Sequence, residues 1–285
     1  ANIGGQISIG GARNTGFKNV VDSIKSVKFT GSLDMDAVTV GSSLMIHDKV
    51  ELAKVRLVGA GIGGQVTLVG VKVAGKLDME AITVGRDLII RNEVVTDTGL
   101  RTFQDTEFGF INMLGAKVGG KIIMQGLKVT GLVNMSGVRI GSDLWIIDNS
   151  MFTEQDHLNN TNIGGNLGLS ESKEQAKFDL TGANVKGELR LQFSGKNTAW
   201  GDDSLFILSN ASAGVLVGVS RAWPKKLKLN GFQYQMISES VEHLSKESDG
   251  YIEWLSRDMN FTPQPYKHMA EILRRQGYTE QANDV

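Results

Sequence analysis

The chain has 285 residues, and its 30 Lys and Arg residues against 31 Asp and Glu residues give a formal net charge of −1. This balance argues against the basic surface on which nucleic-acid binding depends, and the lack of cysteine excludes disulfides, thiolate metal sites and cysteine nucleophiles. No apolar run approaches the ~20 residues of a membrane-spanning helix, so we expect no membrane insertion by this chain.

A repeat of eleven residues organises the sequence. Each unit places apolar residues at its first, fifth and seventh positions and a small residue at its third, and the first clear copy runs from Phe29 to Met35. Further units begin at Val40, Glu51, Ile62, Val73, Val84, Glu107, Val118, Val129, Ile140, Ile163, Glu174 and Val185. Residues 51–92 also match residues 107–148 at a fixed offset of 56, which indicates an internal duplication.

The alternation inside each unit predicts short β-strands with one buried face. The side chains expected to be buried include Leu33, Met35, Leu77 and Met79, and those expected to be exposed include Asp34 and Asp78. Strands this short bury too little surface alone, so the units must stack on one another. The predicted fold is an all-β solenoid, a right-handed parallel β-helix over residues 1–220 in which two 11-residue half-coil units form one coil.

Three polar stretches interrupt the repeat, at residues 10–26, 91–106 and 147–161, and they predict loops that leave the coil. Residues 221–285 predict a small α-helical C-terminal cap. Its clearest helix lies in residues 261–277, where Thr262 suits the N-cap, Pro265 the first turn and Gly277 the end. Such a cap would cover the strand edges at the open end of a solenoid.

Several motifs resemble those of a known family. The Gly-x-Leu-x-Met and Gly-Ala-x-Val-Gly-Gly repeats are similar to the pentapeptide-like β-helices of bacterial proteins often labelled membrane-associated oxidoreductases. The segments 220–224, 229–234 and 261–266 resemble the sequence that follows those repeats. The resemblance implies a β-helix on the cytoplasmic side of the bacterial inner membrane, tethered through a segment outside this chain. It implies no catalytic residues.

The sequence supports neither an oxidoreductase site nor a metal site. The glycines of segment 59–64 lie inside the repeat with no helix after them, so they predict turns and not a dinucleotide-binding loop. The carboxylates of Asp34, Asp36, Asp78 and Glu80 recur at equivalent outward positions, which favours a surface charge ladder over a unique catalytic pair. We therefore expect no catalytic residue, no cofactor and no metal ligand.

Two outward columns differ sharply in composition if each coil holds two units. The polar column consists of Asp34, Arg56, Asp78, Asn112 and Asn134, and the apolar column consists of Met45, Thr67, Ile89, Ile123 and Trp145. An outward apolar strip must be covered or used for binding. Cover by residues 91–106, residues 147–161 and the C-terminal helices is one interpretation, and a protein partner or self-association is the other. The candidate interaction residues are Met45, Ile89, Ile123 and Trp145.

The function predicted from the sequence is a non-catalytic protein-interaction scaffold. The alternative is a carbohydrate-active enzyme, a polysaccharide lyase or hydrolase, on the same fold. A cleft with converging carboxylates would favour the enzyme, and a smooth face with an apolar strip would favour the scaffold.

Overall fold

A computed structural model describes residues 1–10, 27–29, 31–95, 101–147, 150–152, 155–169, 176–191, 200–218, 223–238 and 249–285. Within these residues the chain is a parallel β-solenoid with a small helical C-terminal part, which confirms the predicted fold class. The right-handed sense of winding stays a prediction.

Most of the strands are two to four residues long. In the first half of the chain they are β1 (Asn2–Ile3), β2 (Ile7–Gly10), β3 (Val27–Lys28), β4 (Ser32–Asp34), β5 (Thr39–Val40), β6 (Leu44–Leu52), β7 (Lys54–Arg56), β8 (Gly61–Ile62), β9 (Val66–Asp78), β10 (Thr83–Val84), β11 (Leu88–Arg91), β12 (Glu93–Val95), β13 (Arg101–Phe103), β14 (Glu107–Asn112), β15 (Lys117–Val118), β16 (Ile122–Gln125), β17 (Lys128–Val129), β18 (Val133–Asn134), β19 (Arg139–Ile140) and β20 (Leu144–Ile147).

The later strands continue the same coils and are followed by three helices. The strands are β21 (Met151–Phe152), β22 (Gln155–His157), β23 (Asn162–Ile163), β24 (Leu167–Leu169), β25 (Lys177–Asp179), β26 (Asn184–Arg190), β27 (Leu205–Ile207), β28 (Ser212–Val217), β29 (Lys226–Lys228) and β30 (Gln233–Ser238). The helices are α1 (Asp249–Ser256), α2 (Pro263–Arg275) and α3 (Thr279–Asp284).

Four parallel ladders run along the solenoid, and the third has no described strand after β21. The first ladder joins β1, β5, β8, β10, β15, β19, β23 and the starts of β26, β28 and β30, and the second joins β2, β6, β9, β11, β16, β20, β24 and the ends of β26, β28 and β30. The third joins β3, β6, β9, β14, β17 and β21, and the fourth joins β4, β7, β9, β14, β18, β22, β25, β27 and β29. Leu44 pairs with Val66 and Val66 with Leu88, so a regular coil contains 22 residues, or two units.

The core is the stack of inward-facing side chains from all four ladders. On the second ladder Leu44, Leu88, Ile122 and Leu144 have no exposed surface. Because such a stack holds one side chain per coil at each position, every coil repeats the apolar spacing of its neighbours. This stacking is the physical origin of the eleven-residue repeat.

The corner between the fourth and first ladders uses a left-handed residue in one coil after another. Gly59 has φ +63°, Gly115 has φ +65° and Asn160 has φ +54°. At each of these corners a backbone N–H closes a tight turn, as in the Ala60 N–H bond to the Leu57 carbonyl at 3.1 Å. Glycine and asparagine adopt positive φ with the least strain, which favours them here. Ala37 and Ala81, each with φ +52°, hold the same corner in two other coils.

Helix α2 closes the C-terminal end of the solenoid with side chains that take the place of a further strand. Gln264 Oε1 accepts the Gly231 N–H at 2.8 Å, and Gln276 Oε1 accepts the Ile237 N–H at 2.9 Å while its Nε2 donates to the Ile237 carbonyl at 2.9 Å. His268 Nε2 lies 3.0 Å from both the nitrogen and the carbonyl oxygen of Tyr234. The edge of β30 is therefore satisfied by the helix, which protects it from pairing with another chain.

The solenoid extends beyond the predicted boundary at residue 220. Strands β29 and β30 add a further turn that ends at Ser238, because Lys226, Leu227 and Lys228 alternate with Leu227 fully buried. The polar lysines on both sides of a single leucine conceal this strand in the sequence.

The predicted loops differ from one another in the structure. Residues 11–26 lie outside the described residues. Within 91–106 the chain leaves the coil as an antiparallel hairpin of β12 and β13. The described residues of 147–161 stay in the coil, since β21 pairs with β17 and β22 with β18, so the prediction of a loop leaving the coil is wrong for them.

Candidate interaction surface

The apolar column occupies a single register on the second ladder. Met45 pairs with Thr67, Thr67 with Ile89, Ile89 with Ile123 and Ile123 with Trp145. In each strand the residues on either side point inward; Leu144 is fully buried and Ile146 is 3 % exposed beside Trp145. The predicted candidate residues Met45, Ile89, Ile123 and Trp145 therefore share one outward face.

Solvent reaches this face only in part. Met45, Ile89, Ile123 and Trp145 are half-buried, and Thr67 between them is 7 % exposed. Stacking on the coils above and below accounts for partial cover of this kind, because neighbouring strands of a sheet lie only ~4.8 Å apart. Helices α1 and α2 pack against the last coil at the end of the solenoid.

Polar side chains that border the apolar column are tied to the backbone of the coil. Ser43 Oγ accepts the Gln65 N–H at 3.1 Å, Asp87 Oδ1 accepts the Lys121 N–H at 3.0 Å, and Asp143 Oδ1 accepts the Asn166 N–H at 2.7 Å. These bonds fix one corner of each coil. The apolar column is thus carried on a stiff backbone.

The polar column lies on the fourth ladder in the predicted order. Asp34 pairs with Arg56, Arg56 with Asp78, Asp78 with Asn112 and Asn112 with Asn134. Arg56 forms an ion pair with Asp36 and approaches Asp34 Oδ2 at 3.5 Å. The column is therefore an internally compensated set of charges and amides.

Asp34 is exposed as expected, but the expectation for Asp78 is wrong, since Asp78 is only 5 % exposed. Its side chain is on the outward face, between the buried Leu77 and Met79, and its neighbours cover it. Lys76 Nζ lies 2.8 Å from Asp78 Oδ2, and Asn112 Nδ2 donates to Asp78 Oδ1 at 2.9 Å. Leu33, which we expected to be buried, is half-buried because it lies near the first coil, where fewer strands cover it.

The surroundings of Asp78 determine its charge. Burial by itself raises the pKa of the Asp78 carboxyl, but hydrogen bonds from Lys76 and Asn112 and the charge of Lys76 outweigh it and hold the pKa below its ordinary value. Asp78 is accordingly ionised at neutral pH. A general acid for glycoside hydrolysis needs the opposite shift, so Asp78 fits a structural ion pair better than that role.

Replacing Asp78 by asparagine should lower the free energy of unfolding at pH 7 by about 2 kcal/mol, because Lys76 and Asn112 lose the charge that they contact. The pKa of Asp78 is lower in the folded state than in the unfolded state, so its stabilisation is present above the ordinary value of 3.8 and is lost as the pH falls further. Urea denaturation at pH 7 and at pH 3 should show the gap between wild type and variant shrinking in acid. Asp34→Asn is the control, and an equal loss in both variants at pH 7 would contradict this role.

Two grooves run along corners of the solenoid. One has a volume of about 500 Å³ and is bordered by a column of alternating charge, comprising Lys28, Glu51, Lys72 and Glu107. Lys28 and Lys72 lie 3.6 Å from Glu51 and Glu107, respectively, so the charges compensate one another. The other, of about 550 Å³, has a floor of stacked glycines and a rim that includes Lys117, Arg139 and Lys186.

One group of polar side chains, Ser8, His47 and Asp48, was not predicted from the sequence. Ser8 Oγ lies 3.0 Å from His47 Nε2, and His47 Nδ1 lies 2.5 Å from Asp48 Oδ2. Ser8 and His47 are 39 residues apart, which is not a multiple of the 22-residue coil, because residues 11–26 are inserted between them. Repeat arithmetic alone therefore could not place them together.

Among the described residues, no cluster of three or more His, Asp or Glu side chains is placed to hold a metal ion. Of the helices in the described part of the chain, none is both long and apolar enough to cross a bilayer. No protein-family model matches the chain, and neither a curated protein nor a solved structure matches it.

Proposed function

We propose that this protein is an interaction scaffold, a rigid β-solenoid that binds a protein partner along the apolar column. The observation that carries the proposal is the contrast between two outward columns of the same coils. Ile89, Ile123 and Trp145 stack in register on one side, whereas Asp78, Asn112 and Asn134 occupy the equivalent register on another. Solubility alone does not require a solenoid to place its apolar and its polar outward residues in separate columns.

The backbone beneath the apolar column supports binding at low entropic cost. Every residue of the column lies in a strand paired on both sides, and the inward neighbours on the same strands are buried. Binding to a preformed face needs little ordering of the scaffold, so more of the contact energy appears as affinity.

The dimensions of the column define the kind of partner. Five residues at ~4.8 Å per coil give a strip about 19 Å long and one side chain wide. An amphipathic helix or a strand with one apolar stripe matches this shape, and its polar side would meet the border formed by Gln65, Asp87, Lys121 and Asp143. The partner is therefore a protein segment with a narrow apolar stripe, from another protein or from a second copy of this chain.

The carbohydrate-active alternative finds less support. The carboxylates of Asp34 and Asp36 are engaged by Arg56, that of Asp78 is engaged by Lys76 and Asn112, and Asp78 is held in its ionised form. Carboxylates that are bound to neighbouring cations and amides stabilise the surface and are not available to a substrate.

The resemblance noted in the sequence supports a scaffold on the cytoplasmic side of a bacterial inner membrane, tethered by a segment outside this chain.

A photo-crosslinking residue at position 123 tests the proposal. In cells of the native host it should capture a protein, or a second copy of this chain, in good yield, because Ile123 lies in the apolar column between Ile89 and Trp145. The same residue at position 134, on the polar column, is the matched control and should capture the same protein at a small fraction of that yield. Mass spectrometry identifies the product, and equal yields at the two positions would contradict the proposal.

A further inference from the structure

We propose that Ser8, His47 and Asp48 form a nucleophilic site that hydrolyses carboxylic esters, independent of partner binding. Their side chains form one relay, with Ser8 Oγ 3.0 Å from His47 Nε2 and His47 Nδ1 2.5 Å from Asp48 Oδ2. A serine, a base in contact with it and a carboxylate that orients the base are the three parts that nucleophilic catalysis by serine requires.

The contacts fix the direction of each hydrogen bond. Asp48 can only accept when ionised, so His47 Nδ1–H donates to Asp48 Oδ2. In a neutral imidazole the other nitrogen then has a free lone pair, and the Ser8 hydroxyl donates to His47 Nε2. This is the tautomer in which His47 can take the Ser8 proton.

The repeat itself shows that this corner of the coil is exceptional. In later coils a single glycine with positive φ makes the same turn, at Gly70 (φ +63°) and Gly126 (φ +62°). Here two non-glycine residues make it, Asp48 (φ +64°) and Lys49 (φ +58°). Isolated residues with a side chain, such as Ala37 and Ala81, also have positive φ, but among the described residues no other two consecutive residues do. Backbone strain of this kind occurs at functional sites. In this coil it places a buried carboxylate, 1 % exposed as a residue, against His47.

Gly10 provides the room for the imidazole. It pairs with His47 on the second ladder, and a Cβ at this position would lie 2.6 Å from His47 Cε1 and Nδ1. The ring consequently lies over the first coil, where it reaches Ser8. Ser8 is exposed, whereas the side chain of His47 is 17 % exposed and that of Asp48 only 2 %. The site thus has an accessible nucleophile and a sheltered base.

The surroundings of Ser8 point to an ester with an apolar acyl chain. Ser8 pairs with Met45, so it lies beside the first residue of the apolar column. The Gln6 amide lies two residues earlier on the same face and donates to Met45 Sδ at 3.3 Å. Because Ile7 N–H bonds to the Ser43 carbonyl, at 2.9 Å, the Ser8 N–H points to the other side of β2. The Gln6 side-chain amide and the Ser8 backbone N–H are the two donors available to the carbonyl oxygen in the transition state.

The chemistry balances as a hydrolysis. Ser8 Oγ bonds to the carbonyl carbon and its proton passes to His47 Nε2; the carbon–oxygen bond to the alcohol then breaks, and the alcohol leaves with that proton. Water attacks the acyl-serine and gives its proton to His47, which returns it to Ser8 Oγ as the carboxylic acid leaves. The net reaction converts an ester and water into an acid and an alcohol.

Reaction with an alkyl fluorophosphonate tests the site directly, since this probe phosphonylates activated serines. Tryptic cleavage gives the peptide of residues 1–13, in which Ser8 is the sole serine, so its labelling is unambiguous. We expect labelling of Ser8 in the folded wild type and turnover of p-nitrophenyl butyrate. Ser8→Ala should abolish both, and His47→Gln and Asp48→Asn should each slow both at least tenfold.

Two controls separate this site from general reactivity and from unfolding. Ser42→Ala, at another exposed serine, should leave labelling and turnover unchanged. Asparagine tolerates positive φ, so Asp48→Asn preserves the turn even if His47→Gln fails to fold, and thermal melting checks both variants. Lack of label at Ser8 in the folded wild type, or an unchanged labelling rate in folded Asp48→Asn, would overturn the proposal.

Discussion

Gly141→Ala is expected to destabilise the solenoid by about 3 kcal/mol, although it adds a single methyl group. A Cβ at position 141 would lie 2.0 Å from the carbonyl oxygen of Gly119 in the coil below. The obstacle is backbone and cannot rotate away, so the two coils would have to separate at hydrogen bonds such as Gly141 N–H to the Val118 carbonyl at 2.9 Å. The same close approach recurs at Gly63, Gly85 and Gly164.

Gly61→Ala is the matched control for this substitution. A Cβ at Gly61 meets nothing within 4 Å, and its ladder neighbours in the adjacent coils are Thr39 and Thr83. This variant should be as stable as the wild type or slightly more so, because alanine restricts the unfolded chain. Chemical denaturation of both variants measures the difference. A similar stability for Gly141→Ala and Gly61→Ala would show that the glycine stack is not sterically required.

Trp254→Ala should cost about 4 kcal/mol and make the protein prone to aggregate. Trp254 is 1 % exposed on α1, and its ring meets Trp223 edge to face with centroids 5.5 Å apart. Truncation would leave a large cavity between the helix and the last coil. The segment after α1 pairs with that coil, since the Leu227 N–H donates to the Arg257 carbonyl at 3.0 Å. Loosening it would expose the edge of β29 to other chains.

Phe261→Ala provides the comparison for Trp254, because Phe261 is an aromatic residue of the same cap but is 73 % exposed. It should leave both the unfolding midpoint and the monomer fraction near the wild-type values. Thermal melting followed by light scattering at the end of the transition measures both properties. If Trp254→Ala has the same unfolding midpoint as the wild type, the cap does not stabilise the solenoid in the way described.

The fold and the two outward columns could be predicted because stacked coils impose one rule on every unit. The 22-residue spacing brings Ile89 beside Thr67 and Asp78 beside Arg56, so two units per coil are enough to derive both columns. The degree to which a residue of a column is buried could not be predicted in the same way. Asp78 is covered by Lys76 and Asn112, and side-chain placement of this kind does not follow from periodicity.

Features that depend on an interruption of the repeat could not be predicted from the sequence. Residues 11–26 shift the phase between Ser8 and His47, so a constant coil length does not bring them together. The last coil was missed because Lys226 and Lys228 surround a lone Leu227. The strand supplies one buried side chain, and the aromatic cluster of Trp223 and Phe206 completes the core there.

Binding along the apolar column is tested most directly by the affinity of the crosslinked partner for two lysine variants. Ile123→Lys places a charge on the apolar column between Ile89 and Trp145, and Asn134→Lys places the same charge on the polar column. Both positions are outward and half-buried, so a lysine can extend to solvent and neither variant should change the melting temperature. We predict that Ile123→Lys raises the dissociation constant at least tenfold while Asn134→Lys leaves it unchanged. Equal affinities for the two variants would contradict the assignment of the apolar column as the binding surface.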